Sequence, residues 1–174
     1  FGQRSTVQLE DGSQVILNSA TRLQVRFSGE RRQFTLKSGE ALFTVAQDPD
    51  RPFTVNAGDG EGRALGTRFQ LRNEQGRVAV TLLEGRIALD RNATGQLLQL
   101  RPGEQVRFVV GDAYLERRNV DPDIVSSWTS GRLRFKDAPL QEVLQEVNRY
   151  SKVQIQLADP SLASRPINAT LDMG

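Results

Sequence analysis

Residues 51–71 read RPFTVNAGDGEGRALGTRFQL. At both ends of this stretch, over 53–56 and 65–71, apolar residues alternate with polar ones, which is typical of half-buried strands. The middle of the stretch, 58–62, consists of three glycines separated by two acidic residues, so it offers little side chain to pack and predicts a turn or loop. The stretch therefore indicates two strands joined by a glycine-rich connection.

Short strand-like runs continue on both sides of this stretch, with turn residues between them. They fall at 7–9, 14–17, 23–27, 33–36, 41–45, 53–55, 67–71, 78–83, 86–89, 97–100, 105–110 and 114–118. Such dense, short strands predict a sandwich, a barrel or a solenoid. Arginines such as Arg72 and Arg107 alternate with apolar residues along these runs, which predicts a solvated sheet face.

A faint repeat helps to choose among these architectures. The pattern Leu-x-x-Gly precedes an alternating apolar run at Leu9/Gly12, Leu36/Gly39, Leu82/Gly85 and Leu100/Gly103. Each copy predicts a strand, a tight turn with the glycine at positive φ, and a second strand. The copies are either ordinary hairpin turns or rungs that stack on their neighbours. Because their spacing is uneven, we expect an irregular, solenoid-like or sandwich-like all-β domain.

The composition excludes several kinds of site. The 174 residues include no cysteine and no histidine, which argues against disulfides, zinc sites and a Ser-His-Asp hydrolase. We therefore expect no metal and no cofactor. The net charge of +2 is too small to indicate a nucleic-acid partner. No apolar run approaches the roughly 20 residues needed to span a bilayer, so the sequence predicts neither a membrane helix nor a signal peptide.

The pattern changes near residue 120. Asp121 precedes Pro122 and predicts the start of a short helix, and the only tryptophan, Trp128, predicts a buried anchor in the core or the linker.

A strand-helix-strand unit follows this linker. Its helix, over 139–150, has an apolar face and places Glu142, Gln145 and Glu146 toward water. Its strands surround residues 133–135 and 153–157. We therefore predict a mainly β protein in three parts: an all-β domain over 1–119, a linker with a short helix over 120–131, and a small, partial α+β module over 132–174. Such a module leaves sheet edges unpaired, and unpaired edges recruit strands.

Several segments together carry a resemblance to a known family. Within 51–71, RPF-x-V is followed by L-G-T-x-F, and the likeness continues in LEDGSQVILN, RQFTLKSGEALFTVAQD, VTLLEGRIAL and LRPGEQVRF. These segments resemble the periplasmic part of FecR-type anti-sigma regulators. Residues 126–157 are similar to the segment in which these regulators pass into a secretin-and-TonB N-terminal (STN) type module.

The resemblance implies a binding function. It implies the periplasmic region of a single-pass inner-membrane protein of a Gram-negative bacterium, whose partner is the signalling domain of a TonB-dependent outer-membrane receptor in iron and siderophore signalling. A periplasmic protease and an ECF-type sigma factor are implied as further partners. The sigma-binding segment and the membrane helix would precede Phe1. The residues expected to contact the receptor are Leu133, Phe135, Leu140, Val143, Leu144, Val147, Val153, Ile155 and Leu157.

The resemblance also implies a reaction at Gly66-Thr67, because some members of this family cut themselves at such a step. A hydroxyl beside an unhindered glycine carbonyl can attack it, which converts the amide to an ester that water hydrolyses. Thr67 would be the nucleophile of this single-turnover event, and we expect no other enzymatic activity. Alternatively, Gly66 admits a bulge and Thr67 is an ordinary strand residue.

A different class of function is a β-rich envelope protein that binds carbohydrate or has a structural role. Sugar sites expose aromatic faces, and only 6% of this chain is Phe, Trp or Tyr, mostly at positions that alternate like core residues. The composition therefore favours the signalling interpretation.

Overall fold

The computed structural model describes residues 4–91 and 94–173, and it is dominated by strands. Twelve strands form one large sheet: β1 (Ser5–Gln8), β2 (Gln14–Leu17), β3 (Arg22–Phe27), β4 (Arg32–Thr44), β5 (Phe53–Ala57), β6 (Gly60–Ala64), β7 (Arg68–Glu74), β8 (Arg77–Glu84), β9 (Ile87–Arg91), β10 (Gln96–Leu100), β11 (Glu104–Val109) and β12 (Leu115–Asn119). A short helix α1 (Pro122–Val125) and a 3-10 turn (Ser127–Ser130) lead to the C-terminal module. The module consists of β13 (Arg132–Pro139), α2 (Leu140–Asn148), a 3-10 turn (Pro160–Leu162) and β14 (Pro166–Asp172). The predicted fold class is confirmed.

The large sheet folds back on itself at β4. The C-terminal part of this 13-residue strand lies between β2 and β7, and its N-terminal part lies between β3 and β5. We call β1-β2-β4-β7-β8-β11-β12 the first half-sheet and β3-β4-β5-β6-β9-β10 the second half-sheet. All pairings are antiparallel except that of β4 with β5. Runs 33–36 and 41–45, predicted as two strands, are therefore one strand.

Four phenylalanines fill the core between the half-sheets. Phe34 and Phe53 of the second half-sheet stack with ring centroids 4.4 Å apart, and Phe43 and Phe69 of the first stack at 4.9 Å. Phe53 meets Phe69 edge to face at 6.4 Å, so the two pairs join across the core. Each such contact stabilises the fold by about 0.5–1.5 kcal/mol beyond the burial of its area. The predicted strand at 53–55 is confirmed.

The glycine-rich connection is a strand for most of its length, so the prediction of a loop over 58–62 is wrong. Only Gly58 and Asp59 form the turn, and β6 begins at Gly60. A Cβ added at Gly60 would lie 2.8 Å from Cζ of Phe108 in the facing half-sheet, and one at Gly62 would lie 3.1 Å from Cδ1 of Ile87. These glycines let neighbouring core side chains approach the backbone of β6 closely.

The four repeated glycines adopt the predicted conformation. Gly12, Gly39, Gly85 and Gly103 have φ of 82°, 90°, 85° and 83°. Three of them lie in turns between strands, but Gly39 lies inside β4, where an added Cβ would be 2.6 Å from Cα of Thr21. The predicted turn at Gly39 is therefore wrong, because its left-handed residue bends a continuous strand.

The C-terminal module uses a different second strand from the one predicted. β13 pairs with β14, whereas 153–157 is irregular. Asn148, the last residue of α2, holds this segment through its side chain. The side chain accepts from the backbone N–H of Ile155 at 2.8 Å and donates to the Ile155 carbonyl at 2.9 Å, which closes a loop after the helix. Val153 alternates as strand residues do but is 75% exposed and packs in no sheet. The second strand of the module is β14 instead, which follows this irregular segment.

Candidate functional site

Gly66 and Thr67 occupy the connection between β6 and β7. Gly66 has a φ of 59°, and Thr67 is 2% exposed. The Thr67 carbonyl accepts from the backbone N–H of Val45 at 2.8 Å, which fixes the peptide to the adjoining strand end. The Thr67 hydroxyl oxygen is buried without a hydrogen-bond partner among the residues that the structure describes. Such an orphaned hydroxyl is costly in a folded protein.

The same peptide is enclosed by its neighbours. A Cβ added at Gly66 would lie 2.5 Å from Cγ of Gln47, and one added at Gly85 would lie 2.8 Å from the Gly66 carbonyl oxygen. Both positions therefore favour glycine. Leu65, predicted to begin a strand here, is 53% exposed and precedes β7 in a bend. The arrangement places an unsatisfied hydroxyl next to the Gly66 carbonyl in an enclosed connection.

A second set of polar side chains joins the first half-sheet to the C-terminal module. At its centre is Glu40 of β4, which is 2% exposed. Its carboxylate accepts from Gln70 at 2.6 Å, from Asn18 at 2.7 Å and from the guanidinium of Arg149 at 2.9 Å. Burial raises the pKa of Glu40, and the positive charge of Arg149 opposes that rise.

Two further carboxylates complete this set, which we call the docking network: Glu40, Gln70, Arg72, Glu74, Glu146 and Arg149. Glu146 of α2 lies 2.7 Å from Arg72 and 2.8 Å from Arg149, whose Nε is 2.7 Å from Glu74. Burial opposes ionisation of Glu146, but the two arginines outweigh it and lower its pKa. The prediction that Glu146 faces water is therefore wrong, and Arg72 does not lie on an open sheet face.

Trp128 anchors the linker beside the docking network. The indole is 2% exposed, donates to the Gln70 side-chain oxygen at 2.9 Å, and packs with Leu42, Leu83 and Leu133. The prediction of a buried anchor is confirmed. Because Gln70 also donates to Glu40, one amide connects the tryptophan to the ion pairs.

The predicted receptor-binding residues lie in different environments. Val153 and Ile155 are exposed, at 75% and 47%. Leu133 and Val143 are buried, and Leu133 belongs to the cluster around Trp128. The remaining ones are half-buried, namely Phe135, Leu140, Leu144, Val147 and Leu157. Most of this set therefore packs inside the module or beneath it, and its role in binding a partner stays a prediction.

The docking network has little signal in the local sequence pattern. Glu40 lies 109 positions from Arg149, and Arg72 lies 74 positions from Glu146. Nothing in the local pattern distinguishes these charges from solvated ones. Within the described residues, no helix is long and apolar enough to cross a membrane, and no group of three or more acidic side chains is arranged so that it could hold a metal ion.

The fold and these sites describe a strand-rich domain with a docked α+β module. The family model described as FecR protein matches residues 1–88, and the chain belongs to this family of sigma regulators. A crystal structure of a candidate anti-sigma factor from Parabacteroides distasonis superimposes with a TM-score of 0.83 at 26% identity, over 99% of this chain and 82% of that one. A second crystal structure with the same description gives a TM-score of 0.81. The comparison with curated proteins gave no match.

Proposed function

We propose that this chain is the periplasmic signalling region of an inner-membrane sigma regulator, and that its C-terminal module binds the signalling domain of a TonB-dependent outer-membrane receptor. The observation that supports this proposal is the open edge of the module. Among the described residues β14 pairs only with β13, and most of its residues are exposed. A strand edge of this kind can accept a strand from a partner.

Exposed apolar side chains of the same module support the same proposal. Val153, Ile155 and Leu171 are 75%, 47% and 38% exposed. Burying them against a partner would remove apolar area from water, at about 25 cal/mol per Å². Binding would bias proteolysis of the regulator by a periplasmic protease and so release an ECF-type sigma factor held by a cytoplasmic segment, in the context of iron and siderophore uptake.

Isothermal titration of the chain against purified receptor signalling domains tests this proposal. A double variant, V153E with I155E, is expected to weaken binding at least tenfold, because two charges would have to be desolvated in the interface. L97E is the matched control, since Leu97 is 69% exposed on β10 of the second half-sheet. Absence of binding to every receptor domain, or equal losses in both variants, would contradict the proposal.

We also propose self-cleavage at Gly66-Thr67, supported by the buried, unpartnered hydroxyl of Thr67. The hydroxyl oxygen attacks the Gly66 carbonyl carbon, the amide C–N bond breaks, and the amine of Thr67 takes the proton. Water then hydrolyses the resulting ester, leaving a carboxylate on Gly66 and a free hydroxyl on Thr67. Gly66 carries no side chain that could hinder the attack, and its φ is 59°.

Three substitutions of Thr67 distinguish the effect of its hydroxyl from the effect of its side-chain shape. T67S keeps the hydroxyl and is expected to cleave, whereas T67A and T67V are expected to stay intact on a denaturing gel. T67V preserves the shape and removes only an orphaned polar group, so it should fold at least as stably as the parent. Hydroxylamine should trap the ester as a hydroxamate at Gly66, detected by mass spectrometry. Fragments from T67V, or a parent chain that stays whole, would refute self-cleavage.

A further inference from the structure

The outward face of the first half-sheet is polar where it lies beneath the C-terminal module. The register aligns its outward side chains into three rows across β7, β8, β11 and β12. The first two rows are Gln70-Thr81-Gln105-Arg118 and Arg72-Ala79-Arg107-Glu116, and Glu74-Arg77-Val109 runs beside them. A layer that packs on a sheet normally covers apolar side chains. Here the module is fixed through the docking network on the β4–β7 side.

A groove remains between the other side of this face and the layer of β13 and α2. It comprises two adjoining cavities of about 400 and 430 Å³, each within the usual size of a ligand site. Both cavities are lined by Ala79 and Arg107 from the sheet and by Phe135 and Glu142 from the module. Ala79 is the smallest side chain of its row, which deepens the floor of the groove.

Two guanidinium groups on this floor share one acceptor. Arg107 and Arg118 each donate Nε–H to the side-chain oxygen of Gln105, at 2.7 and 2.9 Å. Gln105 is fixed in turn by donating to the Thr81 hydroxyl at 2.7 Å. Neither arginine forms an ion pair with a carboxylate anywhere in residues 4–91 or 94–173. Two like charges therefore converge where an anion would be stabilised.

Other arginines that are shielded from water have a carboxylate as a direct partner. Arg32, Arg91 and Arg149 each have a carboxylate within 2.9 Å. Burial and the charge of Arg118 lower the pKa of Arg107, and the carboxylates that face it, Glu142 of α2 and Glu116 of β12, do not compensate. Neither guanidinium is held in a direct ion pair by a described residue, so both can receive an added carboxylate, and Glu142 and Glu116 are nearby competing charges.

We propose that this groove binds an extended acidic segment of a partner protein, with one carboxylate paired to Arg107 and Arg118. At one end of the groove lie Tyr114, which is 71% exposed, and Val109, which is 47% exposed. They can pack against an apolar side chain that neighbours the carboxylate. This site lies on the sheet side of the module, apart from the exposed edge of β14, so it does not depend on the receptor proposal.

Selection of random displayed heptapeptides on the whole chain at low salt tests the inference. The enriched peptides are expected to contain Asp or Glu, and synthetic versions with amides in place of the carboxylates should bind at least tenfold more weakly, as expected when a charge-assisted hydrogen bond is lost. R107Q and R118Q are each expected to weaken binding by about the same factor. R26Q is the control, because Arg26 is an exposed arginine of β3 in the second half-sheet.

E142Q distinguishes ligand binding from closure of the groove. If an acidic segment binds, removing the competing carboxylate should tighten binding about two- to fivefold. If Glu142 instead swings over to pair with Arg107, E142Q should lower stability and leave peptide affinity unchanged, which would overturn the inference. Peptides without acidic residues, or peptides that bind R107Q and the parent equally, would overturn it as well. Circular dichroism confirms that each variant is folded.

Discussion

Asp11 and Arg32 form an ion pair that is almost completely shielded from water. The carboxylate oxygen lies 2.6 Å from Nη1, and the two side chains are 1% and 0% exposed. Asp11 also accepts from the backbone N–H and the hydroxyl of Ser13, and Arg32 donates to the Arg51 carbonyl. A pair of this kind contributes little net energy while intact, but either partner alone is expensive to bury. The sequence could not predict it, because the partners lie 21 positions apart and each resembles an ordinary turn or strand charge.

D11N is expected to reduce the free energy of unfolding by about 3–5 kcal/mol, because Arg32 would stay buried without a counter-charge. Burial opposes ionisation of Asp11, but Arg32 and Ser13 outweigh it and lower its pKa. The stabilisation is therefore present above the unfolded pKa and is lost as the pH falls through the folded one. Urea unfolding at pH 7 and pH 3 should show the difference between parent and variant shrinking in acid. D50N, at an exposed carboxylate, should behave like the parent at both values.

At the scale of elements, β6 shows where reading the sequence fails. Local composition predicts a loop because glycine is common in turns, yet Gly60 and Gly62 are strand residues selected by the side chains packed over them. The same reasoning succeeded for strands with alternating phenylalanines and for α2, whose signals are local. It failed for 153–157, because alternation there has no neighbouring strand to pair with, whereas β14 has a partner but a mostly polar sequence. Pairing is decided by contacts that the local pattern does not contain.

G60A is expected to destabilise the protein by about 1–3 kcal/mol, since its methyl group would meet Phe108 at 2.8 Å in a filled core. G29A is the matched control: Gly29 lies in an exposed turn, with nothing within 4 Å of an added Cβ. Urea denaturation followed by far-ultraviolet circular dichroism measures both. A G60A midpoint equal to that of G29A would show that β6 does not pack as closely as described.

At the scale of the whole molecule, ion pairs and an apolar cluster together fix the module to the first half-sheet. Arg149 contacts three carboxylates, Glu40, Glu74 and Glu146, within 2.9 Å. Trp128 supplies the main apolar contact of the same junction. The family and the fold class followed from motifs spread along the chain, but the way the two layers meet depends on pairs far apart in sequence.

R149M is expected to loosen the module while leaving the β domain folded, because Glu40 would remain buried without its cation at a cost of about 3–5 kcal/mol. Trp128 is the only tryptophan, so its fluorescence reports the junction directly. In the parent, fluorescence and circular dichroism should change together in urea, and in R149M the fluorescence should change at a lower concentration. R165M, at an exposed arginine of the module, is the control. Coincident transitions in R149M would mean that Arg149 does not hold the layers together.

The strand β4 belongs to both half-sheets, and Glu40, which holds Arg149 of the module, follows its bend at Gly39 directly. A force on Arg149 would therefore be transmitted in part to β4, the strand whose hydrogen bonds belong to both half-sheets. Mechanical tension applied by a bound partner would act on the centre of the β domain and not on its periphery. Tension on the pair of Glu40 and Arg149 would therefore strain β4, the strand that joins the two half-sheets.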